Sequence, residues 1–120
     1  MITIGNEGLC KAKLVIPQGC SVSFSVIHKD DQAQVIDHST STANMVLQTL
    51  DRKKKILDLS DCVTCLNDKI MVSIPSDKSS IPAPGVYAWD LIVTTDHNVV
   101  RMLYGEANVV DTYSLDGDHR

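Results

Sequence analysis

Gly85-Val86-Tyr87-Ala88-Trp89-Asp90-Leu91-Ile92-Val93-Thr94, followed by the polar turn Thr95-Asp96-His97-Asn98 and the run Val99-Val100-Arg101-Met102-Leu103-Tyr104-Gly105-Glu106-Ala107-Asn108-Val109-Val110, decides the fold. Tyr87, Trp89, Leu91 and Val93 share one face by the two-residue period of a strand. Aromatic and β-branched side chains suit such a pleated, half-buried surface. Gly105 interrupts the second run where a bulge or bend fits, so the region predicts three short antiparallel strands. The chain's single Trp is thereby assigned to packing, with Tyr87, Leu91, Leu103 and, upstream, Phe24 as its expected core partners.

Upstream the same period recurs. Ala12, Leu14 and Ile16 alternate with Lys11, Lys13 and Val15, the turn Pro17-Gln18-Gly19 follows, and Cys20-Ser21-Val22-Ser23-Phe24-Ser25-Val26 resumes. Its serines are expected to face water and Cys20, Val22, Phe24 and Val26 the core, the pattern of an antiparallel sheet with one wet face. A polar turn at Lys29-Asp30-Asp31-Gln32 leads to a short expected strand, Val35-Ile36-Asp37. Thr42 to Leu50 fits helical spacing almost as well as strand spacing, and its strand-rich surroundings assign it to β. One helical or irregular turn is expected between Leu57 and Asn67, with Ser60 or Asp61 as its cap, then a strand at Ile70–Ile74 ended by Pro75. Ser76 to Pro84 reads as a Ser- and Pro-rich loop.

These elements give seven or eight strands at intervals of roughly 8–12 residues, the sequence pattern of an all-β, antiparallel β-sandwich. Residues 1–113 are expected to form a single domain and residues 114–120 a polar C-terminal tail. The 120 residues suffice to bury a core without disulfide or metal staples. The 43% hydrophobic and 22% charged fractions are those of an ordinary globular chain. The first residues show no secretory signal pattern, and no apolar run reaches the ~20 residues of a membrane span, so synthesis in a cytoplasm is expected and no membrane partner. A net charge of −4 argues against nucleic acid as a partner. The lone basic block Arg52-Lys53-Lys54-Lys55 reads as a solvated turn or edge.

Little chemistry is legible. Cys10, Cys20, Cys62 and Cys65 form a weak zinc candidate, because only Cys62 and Cys65 have the close spacing of a ligand pair. The plainer reading is reduced, partly buried thiols. His28, His38, His97 and His119 fall in expected turns or the tail, without ligand spacing, and the acidic residues do not form a calcium loop. No nucleophile elbow or phosphate-cradling loop occurs. Asp90, the one acid in an apolar setting, is expected on the outer face of its strand beside Arg101. No catalytic residue, cofactor or enzymatic activity is expected.

The order of features resembles a family of small bacteriophage virion proteins and domains that includes the amino-terminal module of the phage baseplate upper protein. The motifs that carry it are Pro17-Gln18-Gly19 running into Ser21–Val26, Lys29-Asp30-Asp31 before Val35-Ile36-Asp37, and Gly85, Tyr87, Asp90, Leu91, then Val99, Arg101, Leu103, Gly105 and Val109. The match spans most of residues 12–112; its last third is the specific part, and the cysteines and the basic block depart from it. The resemblance implies an immunoglobulin-like sandwich located in the virion, made in a bacterial host and binding other tail, fibre or capsid proteins as a homo-oligomer. Two roles follow from it, a tail, baseplate or fibre adaptor and a capsid decoration protein. The expected anchors are the loop residues Ile81, Pro82 and Pro84, with Tyr113. The alternative is a carbohydrate- or receptor-binding module on sandwich loops, which the chain's five aromatics, three of them assigned to the core, equip poorly.

Overall fold

The protein is described by a computed structural model over residues 2–5, 8–96 and 98–111. In chain order the strands are β1 (Ile2–Ile4), β2 (Cys10–Lys11), β3 (Leu14–Pro17), β4 (Val22–His28), β5 (Thr42–Gln48), β6 (Lys55–Asp58), β7 (Val63–Cys65), β8 (Ile70–Ile74), β9 (Gly85–Thr94) and β10 (Val99–Val110). A 3-10 turn at Ser60–Cys62 and one helical turn, α1 (Ser76–Ser79), complete them. One sheet has the order β1-β4-β8-β7. The other has the order β2-β10-β9-β5-β6, with β3 beside β10.

The strand order of the two packed sheets is that of an immunoglobulin-like sandwich, except that β1, parallel to β4, runs opposite to β2 and β3. The all-β sandwich is therefore as expected, with two refinements. The sheets are mixed, because β1 runs parallel to β4 and β2 and β3 run parallel to β10. Among the described residues ten strand segments replace seven or eight, since the edge along β10 is interrupted at residues 12–13 and the separate short strand β1 precedes a reversal into β2.

The core follows strand parity. Ile70, Val72 and Ile74 are buried while Met71 and Ser73 are exposed, and Met45 and Leu47 face inward from β5. Trp89, Leu91 and Val93 are buried on β9, and Phe24 and Tyr87 pack partly buried against the same cluster. Phe24 meets Trp89 edge-on, with ring centroids 6.2 Å apart, the arrangement the ring quadrupoles favour.

Several expectations are corrected. Val99–Val110 is one strand rather than two, and its bulge lies between Arg101 and Leu103, not at Gly105. The extra residue lets Met102 and Leu103 both point inward, and both are fully buried. Val35-Ile36-Asp37 forms only an isolated bridge from Val35 to Lys29. There the Asp30 carboxylate accepts the amides of Gln32 and Gln34, and Asp37 that of Ser39, so side chains replace a ladder. The 3-10 turn is preceded by Leu59, with Ser60 and Asp61 inside it rather than capping it. Cys20 is exposed, because it closes the turn on Pro17 before the alternation begins.

Gly105 has a different duty. The Trp89 indole N–H donates to the Ala12 carbonyl at 3.1 Å, and a Cβ built on Gly105 would stand 2.3 Å from that same oxygen. With φ at +149° as well, Gly105→Ala should destabilise the fold by about 3 kcal/mol, combining strain and overpacking. Gly5→Ala, with no atom within 4 Å of its Cβ, should change stability by less than about 0.5 kcal/mol. Urea unfolding followed by Trp89 fluorescence measures both, and equal losses would refute this account of Gly105.

Candidate interaction surface

Three connections meet at one end of the sandwich. Register fixes this, since Val110 lies opposite Pro17, Val109 opposite Gly85, Gln48 opposite Ala88, and Val22 opposite Ile74. The turn 18–21, the hairpin 49–54 and the connection 75–84 therefore share a surface.

The sequence folds each of them locally. Thr49 and Lys54 close the hairpin through the Lys54 carbonyl at 2.9 Å, while the Asp51 carboxylate accepts the Thr49 hydroxyl at 2.6 Å and the Lys53 amide at 3.0 Å. Those bonds hold the Asp51 carboxyl below its usual pKa, the Thr49 hydroxyl first. Pro75 ends β8 and precedes α1. The buried Ser79 hydroxyl bonds the Cys20 carbonyl at 2.7 Å, the Gln18 side-chain amide donates to the Pro82 carbonyl at 2.9 Å, and the Tyr87 hydroxyl donates to the Ala83 carbonyl. The loop is thus braced onto the neighbouring turn and strand.

This bracing separates the expected anchors. Ile81 is 60% exposed and Pro84 is exposed, but Pro82 is buried, its carbonyl pinned by Gln18 and its ring unavailable to a partner. Tyr113 lies outside the described residues, as do His97, His119 and the polar tail. Sequence reasoning missed Leu50, 56% exposed, and Val86, 45% exposed, on the same end. Lys53 and Lys54 are exposed beside Leu50, so the basic block is a solvated turn as expected. Arg52, however, sits in the left-handed region at φ 62° and reaches back to Asp90 at 3.5 Å. Asp90 is buried on the outer face of β9 and pairs there with Arg52 rather than Arg101. Gln48, diagonal to Asp90 by register, has its buried side-chain oxygen without a hydrogen-bond partner among the described residues.

The histidines also differ from expectation. His28 ends β4 and is buried, as is His38, and their rings stack at 5.2 Å with His28 Nδ1 2.9 Å from His38 Nε2. The Ser41 hydroxyl lies 3.0 Å from His38 Nδ1. The parity that buries Val22, Phe24 and Val26 carries His28 inward too, a signal available in the sequence. This Ser-His-His array joins the β4–β5 connection to the fold at the opposite end. A cavity of about 220 Å³ between β3 and β4 and one of about 110 Å³ lined by Lys11, Ala12, Lys13 and Glu106 lie away from these rings.

The four cysteines are not gathered. Among the described residues no group of three or more His, Cys, Asp or Glu side chains is placed to hold a metal ion. All four thiols are free, and burial raises the pKa of Cys62 and Cys65, so neither is poised as a thiolate.

No family model and no curated protein matches the sequence. Among solved structures, the chain is similar to a family 123 glycoside hydrolase from Clostridium perfringens, studied for glycolipid glycan hydrolysis, at 12% identity and a TM-score of 0.35. The alignment covers 84% of this chain and 23% of that one. A likeness of this size carries no argument about function.

Burial, then the neighbouring His28, hold His38 below its usual pKa of 6.5, against the smaller pull of Asp37. Below pH 6.5 the unfolded chain thus binds more protons than the folded one, so stability falls with pH until the folded His38 titrates. The lowered carboxyls of Asp37, Asp51 and Asp58 withdraw their contributions only as pH falls below about 4. Urea midpoints at a series of pH values should decline in these two separate stages. His38→Gln should remove part of the upper stage and leave the lower one, and an unchanged upper stage would refute the assignment to His38.

Proposed function

We propose that this chain is a non-enzymatic structural protein of a bacteriophage particle, joining other virion proteins through protein–protein contacts as a tail, baseplate or fibre adaptor or as a capsid decoration protein. The family resemblance supplies the virion, and its specific residues Gly85, Tyr87, Asp90, Leu91, Val99, Arg101, Leu103, Gly105 and Val109 all lie on the β9–β10 hairpin. The observation that supports a contact role is the braced connector end. Ile81 and Leu50 are large apolar side chains held exposed on hydrogen-bonded turns and Val86 is one on β9, the kind of preorganised surface from which an interface loses little entropy. Singly exposed apolar residues are ordinary, but three on one end make a candidate anchor set. A carbohydrate-binding reading has less support. Tyr87 and Tyr104 are only partly exposed, and stacking on sugars needs a bare aromatic face.

Mass spectrometry of purified particles, with heads separated from tails, tests the reading. Hundreds of copies in the head fraction would identify a decoration protein, and a few to a few dozen in the tail fraction an adaptor. Absence from both would end the virion reading. Leu50→Asp with Ile81→Asp should lower incorporation by at least about tenfold while leaving the urea midpoint of the isolated protein nearly unchanged, because both residues lie on the surface.

A further inference from the structure

The connection from β4 to β5, residues 29–41, has almost no core of its own. Between residues 31 and 40 only His38 is buried; Ile36 is half-buried and the others are exposed. The His38 ring stacks on that of His28, with His28 Nδ1 2.9 Å from His38 Nε2, and the Ser41 hydroxyl stands 3.0 Å from the other nitrogen of His38. Three main-chain bonds depend on the same placement. The Ile36 amide donates to the His28 carbonyl at 2.8 Å, the His38 amide to the Leu66 carbonyl at 3.1 Å, and the Ser41 amide to the His38 carbonyl at 2.9 Å. One imidazole packed on another is therefore the side-chain anchor of the connection.

We propose that this histidine pair is a proton-operated latch, which releases residues 29–41 from the sandwich in mildly acidic solution while the two sheets stay folded. With both rings neutral, one of the two facing nitrogens donates and the other accepts. A first proton keeps that bond, since an imidazolium donates to the neutral ring beside it. A second proton sets N–H against N–H at 2.9 Å and two positive charges on buried rings whose centroids are 5.2 Å apart. His28 is held in β4 opposite Ile4 of β1, so it is His38, carried by the connection, that moves out. Among the described residues, the charged groups that bear on the His38 ring are His28 and the exposed Asp37, whose carboxylate favours the proton. The flanking elements bring one cation and one anion each, Lys29 and Asp30 after β4 and Asp68 and Lys69 in the turn after β7, while β5 begins with the uncharged Thr42 and Ala43. Burial and His28 keep the docked His38 below 6.5, its ordinary value, to which release returns it. Protons thus favour the released form below pH 6.5, by up to about tenfold per pH unit for this one group.

Amide hydrogen exchange of the isolated full chain is the test, expressed as protection relative to an unstructured chain so that the intrinsic effect of pH cancels, with the histidine ring resonances followed by NMR in the same samples. Between about pH 7 and about pH 5, protection at Ile36, His38 and Ser41 should fall at least about tenfold as the rings take up the second proton, while the β9 amides, paired on both sides, keep theirs. His38→Gln, which retains a donor and an acceptor but no titrating ring, should abolish that fall. Rings that take up the second proton with protection at these three amides unchanged would overturn the latch, and this outcome is readable in the native chain whether or not the variant folds. Protection lost together at these amides and along β9 would also overturn it, because the opening would then be global, as would an undiminished fall in His38→Gln. None of these outcomes bears on the virion reading.

Discussion

The Ala12 carbonyl is the point on which the sandwich depends. It accepts the Trp89 indole N–H at 3.1 Å, and it can approach only because Gly105, paired with Trp89 in the ladder, has no side chain. One oxygen thus ties the β2–β3 edge to the two long strands of the larger sheet. The interruption between β2 and β3 makes that carbonyl free, while the Ala12 amide still bonds the Tyr104 carbonyl at 2.9 Å. Losing the indole donor would leave a part-buried acceptor without that partner, a cost of about 1 kcal/mol, a noticeable share of a small domain's stability.

From that tie the two ends of the domain differ in kind. At the His28 end, the buried His38 ring lies within hydrogen-bond distance of both His28 and Ser41, so the β4–β5 connection is held through a ring whose charge depends on pH. At the connector end, hydroxyls, a side-chain amide and backbone carbonyls brace the 75–84 connection, and the Asp51 carboxylate, held below its usual pKa, braces the 49–54 hairpin. A mild fall in pH therefore acts on one end of the sandwich and spares the other, where the exposed apolar side chains lie.

Strand parity made most of the fold legible. Val22 to Val26, Ile70 to Ile74 and Tyr87 to Val93 each declared which residues face inward, because a one-residue slip would expose the whole set. What parity cannot carry is anything fixed by a distant partner. Gly105 reads locally as a bend, and only the approach of Ala12, far away in sequence, shows why it is glycine. Asp90 reads as a strand-face acid opposite Arg101, yet the left-handed Arg52 in another hairpin reaches it first. Pro82 reads as an exposed loop residue until Gln18 is seen to pin it. Of the candidate surface, Ile81 and Pro84 were legible from loop position alone; Leu50 and Val86 required knowing which turns meet.

The edges of the two sheets are not treated alike. The outer strand of the larger sheet, β6, begins at Lys55 after Lys53 and Lys54, and cations at an edge discourage pairing with another chain. Along the β3 side Lys11 and Lys13 serve the same end. The outer strand of the smaller sheet, β7, carries no charged side chain, so the two sheets differ in how their edges are guarded against pairing.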